Sequence, residues 1–204
     1  MHETFPAFFA DAPSLRVRDP LAAFLGAAAD GILEYHYADA VRLAGHSCPT
    51  VAGTYLLTRR GLHTLYGDDL PERGGIAVQI RDSRDSGTTG VIAAIVTLLT
   101  GAAAETGFGG IGPAARFARR DLLDYDAPIR GLMALRRLDN GASVELELNA
   151  AAVPFPAGMQ ALMSKAVAGQ ATPDELARFG TLWQERVRAM LLEHGNDPQL
   201  LRVL

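Results

Sequence analysis

Residues 130–149 read RGLMALRRLDNGASVELELN. On both sides of Asp139-Asn140-Gly141, apolar and polar residues alternate, which is the period of a strand with one buried face. Asn-Gly is the strongest short signal for a turn between antiparallel strands. The stretch therefore predicts a hairpin with strands over residues 130–138 and 143–149. Further back, IAVQIR (Ile76–Arg81) and ILEYHY (Ile32–Tyr37) carry the same β-branched, alternating character.

Helical segments separate these strands. Asp19-Pro20 places a capping side chain before a proline at the first helical position, opening a helix toward Gly31. A short turn over Asp39–Leu43 closes at Gly45. Pro49 opens a longer helix, with apolar residues at helical spacing up to Gly67. Residues 82–90, DSRDSGTTG, precede VIAAIVTLL (Val91–Leu99) and predict a helix running to Thr100, with Asp82 and Asp85 as candidate caps. GAAAETGFGGIGP (Gly101–Pro113) reads as a glycine-rich connection. Strands alternate irregularly with helices and end in a hairpin, so the expected class is α+β, a mixed sheet with packed helices. Beyond Pro154 and Pro156, helices over Met159–Ala168 and Asp174–His194, the second capped by Thr172-Pro173-Asp174, predict an α-helical C-terminal extension. The expected division is residues 1–155 for the α+β domain and 156–204 for the extension.

Composition narrows the function classes. The 204 residues are 49% hydrophobic and 21% charged, ordinary for a folded chain with its own core. Net charge is −4, and no basic stripe interleaves with aromatics, so nucleic acid is not an expected partner. The longest apolar run is about half the ~20 residues a membrane helix needs, so no membrane association is expected. The N-terminus has no basic segment ahead of a continuous apolar stretch, and it does not read as a signal peptide. A single cysteine forms no internal disulfide, which favours the cytoplasm.

That cysteine stands in AGHSCP (Ala44–Pro49). If Pro49 opens a helix, Cys48 lies at its N-cap, where unpaired N–H groups and the positive end of the helix dipole stabilise a thiolate. His46, two residues back, adds an imidazole. Thiolate and neutral imidazole suit a borderline-soft metal such as zinc or nickel. They also suit a nucleophile, Cys48, with His46 as its catalytic base. A lone cysteine used as a small buried hydrophobe is the structural alternative.

The flanks add to this. Gly45-His46-x-Cys48-Pro49, with Gly53 a few residues into the helix, resembles the FmdE family, whose name comes from a component of formylmethanofuran dehydrogenase. The small-residue helix start, apolar helix and glycine-rich loop of RDSRDSGTTGVIAAIVTLLTGAAAETGFGG (Arg81–Gly110) follow the family's order as well. The resemblance covers about residues 20–150 and implies a mixed α+β domain, commonly a homodimer, with a metal or active site at the His-x-Cys element. It implies no particular reaction. Where many relatives carry a histidine this chain has Ala44, and cysteines found downstream in relatives are replaced by Ser86 or Thr88 and Ala102–Ala104.

Ligands must therefore come from elsewhere. His36 is the candidate third metal ligand, with an open position left for water or a small-molecule ligand; it also fits a solvent face alternating with Glu34. Asp82 and Asp85 could orient an imidazole. His63 is about 20 Å along the same helix, by helical rise, and cannot share the site. Arg116, Arg119 and Arg120 read as a solvated helix face or as contacts to an acidic ligand. Three functions stay open: a metal-binding protein, a metal-independent thiol enzyme, and a non-catalytic ligand- or cofactor-binding module.

Overall fold

The computed structural model describes residues 4–204. In chain order the elements are β1 (Leu15–Arg18), α1 (Pro20–Phe24), β2 (Ile32–Tyr35), α2 (Tyr37–Ala44), α3 (Pro49–Tyr66), β3 (Ile76–Ile80) and α4 (Thr89–Thr100). They are followed by β4 (Leu123–Asp124), β5 (Met133–Arg137), β6 (Ser143–Leu148), α5 (Met159–Val167), α6 (Pro173–Arg188) and β7 (Leu201–Val203). The main sheet runs β4-β3-β5-β6-β7, and β1 pairs with β2 in a separate two-stranded sheet. Among these strands β3 and β4 pair in parallel and the other pairs are antiparallel. The class is α+β, as the hairpin predicts.

The hairpin sets the register. Met133 faces Leu146 and Leu135 faces Val144, so one face of both strands is apolar and buried. Gly141 adopts φ +75°, the left-handed conformation that closes a turn without a Cβ clash. Asn140 Oδ1 accepts from Ala142 N–H at 2.9 Å within the same turn.

Helix α3 lies across this apolar face, with Val51, Ala52, Tyr55, Leu56, Leu57 and Leu62 buried. Two glycines let it approach so closely. A Cβ on Gly61 would stand 2.5 Å from Leu146 Cδ1 and 2.7 Å from Leu135 Cδ1, and one on Gly53 would collide with the δ-methyls of Leu148. Gly53 and Gly61 are two helical turns apart with Leu57 between, so all three share the sheet-facing stripe.

The C-terminal region holds the expected helices and one further strand. Its two helices form, and the α6 capping box is present: Glu175 N–H donates to Thr172 Oγ1 at 3.3 Å while Thr172 N–H donates to Glu175 Oε2 at 3.0 Å. The chain then returns as β7 and adds an edge strand to β6. Val187, Met190, Leu191, Leu200 and Leu201 enter the same core as α3 and the sheet. The stretch from Val187 to Leu201 thus supplies residues to the same hydrophobic core, while α5 and the first half of α6 stay largely outside it.

Two local expectations are corrected. Helix α1 ends at Phe24, short of Gly31, because the left-handed Gly26 (φ +73°) turns the chain away. Neither Asp82 nor Asp85 caps α4: Asp82 accepts from Arg81 Nε at 3.0 Å, Asp85 from Ser83 Oγ at 2.9 Å, and the N-cap is Thr88. No helix among the described residues is long and apolar enough to cross a membrane.

Candidate functional site

Each residue of the Gly-His-x-Cys-Pro element has a local task. Gly45 ends α2 in the left-handed conformation, φ +74°, with its N–H on Val41 O at 2.8 Å. Pro49 opens α3, where its missing N–H has no bond to lose. With Gly53 explained by the close helix–sheet approach, His46 is left without a packing task, while Cys48 caps α3 and packs part of its surface against the core.

Cys48 is the N-cap of α3, an extended residue whose sulfur accepts from Val51 N–H at 3.5 Å. It is half-buried. The expected placement at the positive end of a long helix is borne out. His46 is exposed, and its Nδ1 lies 2.9 Å from Ala44 O. A carbonyl only accepts, so Nδ1 carries the proton and the lone pair of the neutral ring is on Nε2. His46 bonds to Ala44 and Cys48 to Val51; the nucleophile–base contact between them is not formed.

His36 does not join them. It is the exposed N-cap of α2, its N–H held by Asp39 Oδ2 at 2.8 Å, and α2 carries the chain about 12 Å, at 1.5 Å per residue, before Gly45. Among the described residues, no group of three or more His, Cys, Asp or Glu side chains is placed to hold a metal ion, so His36, His46 and Cys48 form no such trio within one chain. Among the described residues, His46 and Cys48 are two of the three or four protein ligands that a zinc site needs. His194 lies elsewhere, its Nδ1 paired with Asp197 Oδ2 at 2.8 Å.

Between His46 and Cys48, Ser47 ties the element to the end of the chain. Ser47 O accepts from Trp183 Nε1 at 2.9 Å and from Gln184 Nε2 at 3.2 Å. Ser47 Oγ donates to Gln184 Oε1 at 3.0 Å. Its one proton is thereby used, so Tyr37 O–H is the donor in the 2.9 Å contact with Ser47 Oγ. Burial pushes the Tyr37 hydroxyl well above its ordinary ionisation range, against the opposing pull of the Ser47 hydrogen bond. Trp183 and Gln184 are the residues that short-range pattern could not supply, because they lie more than a hundred positions away.

A second polar centre corrects the expectation for Arg119. It is not on a solvated helix face but 7% exposed, with Nη2 on Asp19 Oδ1 at 2.6 Å and Nη1 donating to Arg73 O. Asp19 is 3% exposed; it also caps α1 through Leu21 N–H at 2.9 Å and accepts Arg73 Nη1 at 2.9 Å. Gly74, at φ +87°, is required here because a Cβ would overlap the Arg119 guanidinium. Burial lowers the ionisation of Arg119 and Asp19 opposes that shift. This cluster ties together α1, the loop before β3 and the loop after α4.

No protein-family model matches this chain, and no curated protein is significantly similar to it.

Proposed function

We propose that the chain is an FmdE-like metal-binding protein of the cytoplasm, in which His46 Nε2 and Cys48 Sγ are ligands to a transition metal, zinc or nickel. The ligands missing from one chain come from a second copy. The observation that carries this is the His46 ring: exposed, anchored through Nδ1 on Ala44 O, and so left with Nε2 as a free lone pair two residues from the only thiol. A backbone carbonyl on the far nitrogen is how metal-binding histidines are commonly oriented. A two-fold axis beside this element doubles one histidine and one cysteine into a His₂Cys₂ set, which zinc accepts tetrahedrally.

Metal analysis and sedimentation of protein purified without a metal-chelate resin test it, with His46→Ala, Cys48→Ser and His36→Ala beside the unaltered chain. Expected is a single ion shared by two chains, lost in the first two variants and kept in the third, with chelator separating the pair. Unchanged metal content in both His46→Ala and Cys48→Ser overturns the assignment.

The 3.5 Å contact from Val51 N–H to Cys48 Sγ also favours a second reading, a thiol nucleophile activated at a helix N-terminus. In that case His46 leaves Ala44 O to act as base. Fast alkylation that ignores chelator supports this reading, and slow labelling at neutral pH counts against it.

A further inference from the structure

A different chemistry sits at the far end of α6. Arg186 is 7% exposed, yet no carboxylate pairs with it among the described residues. Its Nε donates to Val153 O at 2.9 Å, its Nη2 to Ala150 O at 2.7 Å, and the guanidinium lies 3.9 Å from the centre of the Phe155 ring. An arginine keeps its proton under these conditions. Within the protein its charge is therefore offset by carbonyl dipoles and one ring face alone. The other buried guanidinium, Arg119, has Asp19.

The third nitrogen, Nη1, has no protein partner and is not sealed off from solvent. Arg186 lines a cleft of about 610 Å³ whose walls are otherwise mostly apolar. That volume is within the range of small-molecule sites. The cleft has a second set of donors. Gly158 caps α5 without a side chain, and the N–H groups of Gln160 and Ala161, both lining the cleft, meet no acceptor from the protein. A helix start with free N–H groups is ordinary; one that shares a cleft with an uncompensated buried cation is a place for a negative charge.

We propose that this cleft binds a small organic monocarboxylate, its carboxylate bridging Arg186 Nη1 and the first-turn N–H groups of α5, its apolar body lying against Phe155, Pro154 and Pro156. Two of the three guanidinium nitrogens are already committed to carbonyls. The Nη1 protons are left for the ligand, and the mostly apolar walls favour a carboxylate that carries a hydrocarbon body over inorganic phosphate.

Trp183, the one tryptophan of the chain, precedes Arg186 on α6 by about one turn and reports occupancy. The probes are hexanoate, hexan-1-ol and inorganic phosphate, followed by Trp183 fluorescence and thermal melting. Hexanoate is expected to give a saturable fluorescence change and a higher melting temperature, hexan-1-ol neither, and phosphate a weaker response than hexanoate. Arg186→Gln weakens hexanoate binding by roughly tenfold or more, the loss that follows removal of a hydrogen bond to a charged group. Because Arg186 also supports two carbonyls, a second variant is needed. Ala161→Asp puts a carboxylate into the cleft at the third position of α5; it abolishes the hexanoate response while melting no lower than the unaltered chain. No response to hexanoate, an equal response to hexan-1-ol, tighter binding of phosphate, or undiminished hexanoate binding by Ala161→Asp overturns the proposal.

Discussion

Asp19-Pro20 and Cys48-Pro49 are the same local device, a capping side chain followed by proline at the first helical position, and the fold puts them to opposite uses. Asp19 caps five-residue α1, accepts from two of its backbone N–H groups and is covered by Arg73 and Arg119. Cys48 caps eighteen-residue α3, accepts from Val51 alone and stays half-buried beside an exposed histidine. The charged cap is consumed by structure. The polarisable one keeps its sulfur available. What differs is the company tertiary structure brings: two guanidinium groups from distant loops in one case, a backbone-anchored imidazole in the other.

The contrast breaks most visibly at Asp19. Asp19→Ala leaves Arg119 and Arg73 without their counter-charge and should cost about 3–5 kcal/mol, the usual penalty for breaking a buried pair from one side. Denaturant unfolding measures it, and Asp19→Asn, which retains a cap but no charge, should fall between. A loss within experimental error of zero would mean that the two caps are not different in kind.

Next in size is the response to alkali. Burial pushes the ionisation of Tyr37 and Tyr55, whose hydroxyls donate to Ser47 Oγ and to Pro13 O and Tyr35 O, to higher pH. Their folded values exceed the unfolded one, so their contribution is complete below about pH 10, the ordinary tyrosine value, and declines as pH rises past it. Melting temperature should therefore fall above that pH, with tyrosinate absorbance appearing only as the chain unfolds. Tyr37→Phe should keep the core but free Ser47 Oγ, which sharpens how far the His46–Cys48 element depends on that anchor.

Gly61→Ala tests the seating of α3. Its Cβ would stand 2.5 Å from Leu146 Cδ1, and overpacking of this kind costs about 1–3 kcal/mol, offset in part by alanine's better helix propensity. Hydrogen exchange over α3 would reveal a shifted helix even where stability recovers. The smallest effects belong to the candidate site itself. In metal-free protein, His46→Ala and Cys48→Ser should change stability by less than about 0.5 kcal/mol, as substitutions away from buried networks do, with serine also a good N-cap. A large loss from His46→Ala would assign it a structural role instead.

Much of the frame was legible locally. The Asn-Gly hairpin, the caps at Asp19, Cys48 and Thr172, and the ends of α2 and α4 at Gly45 and Gly101 follow from turn and cap chemistry that acts over a few residues. Short β1, two-residue β4 and terminal β7 carry too few alternating positions to announce themselves, and each exists because a neighbouring strand offers a free edge. The site divides the same way: Cys48 at a helix start is readable, and His36 is exposed like Glu34, as alternation allows, while alternation says nothing of where the next helix carries the chain. The burial of Arg119 is hidden for a related reason. Ala115, Phe117 and Asp121 have positive φ, so its segment is irregular and its side chain turns inward to Asp19.

By itself, the sequence determined the α+β class, the hairpin register and the presence of a thiol at a helix N-terminus, because these depend on periodicity and on caps within a turn of the chain. Only the tertiary structure decided which cap would be buried under two arginines, that Trp183 and Gln184 would clasp Ser47, and that Arg186 would be enclosed without a counter-charge. Those outcomes depend on side chains separated by tens to more than a hundred residues, and a charge or a hydrogen bond at that separation has no local period to betray it.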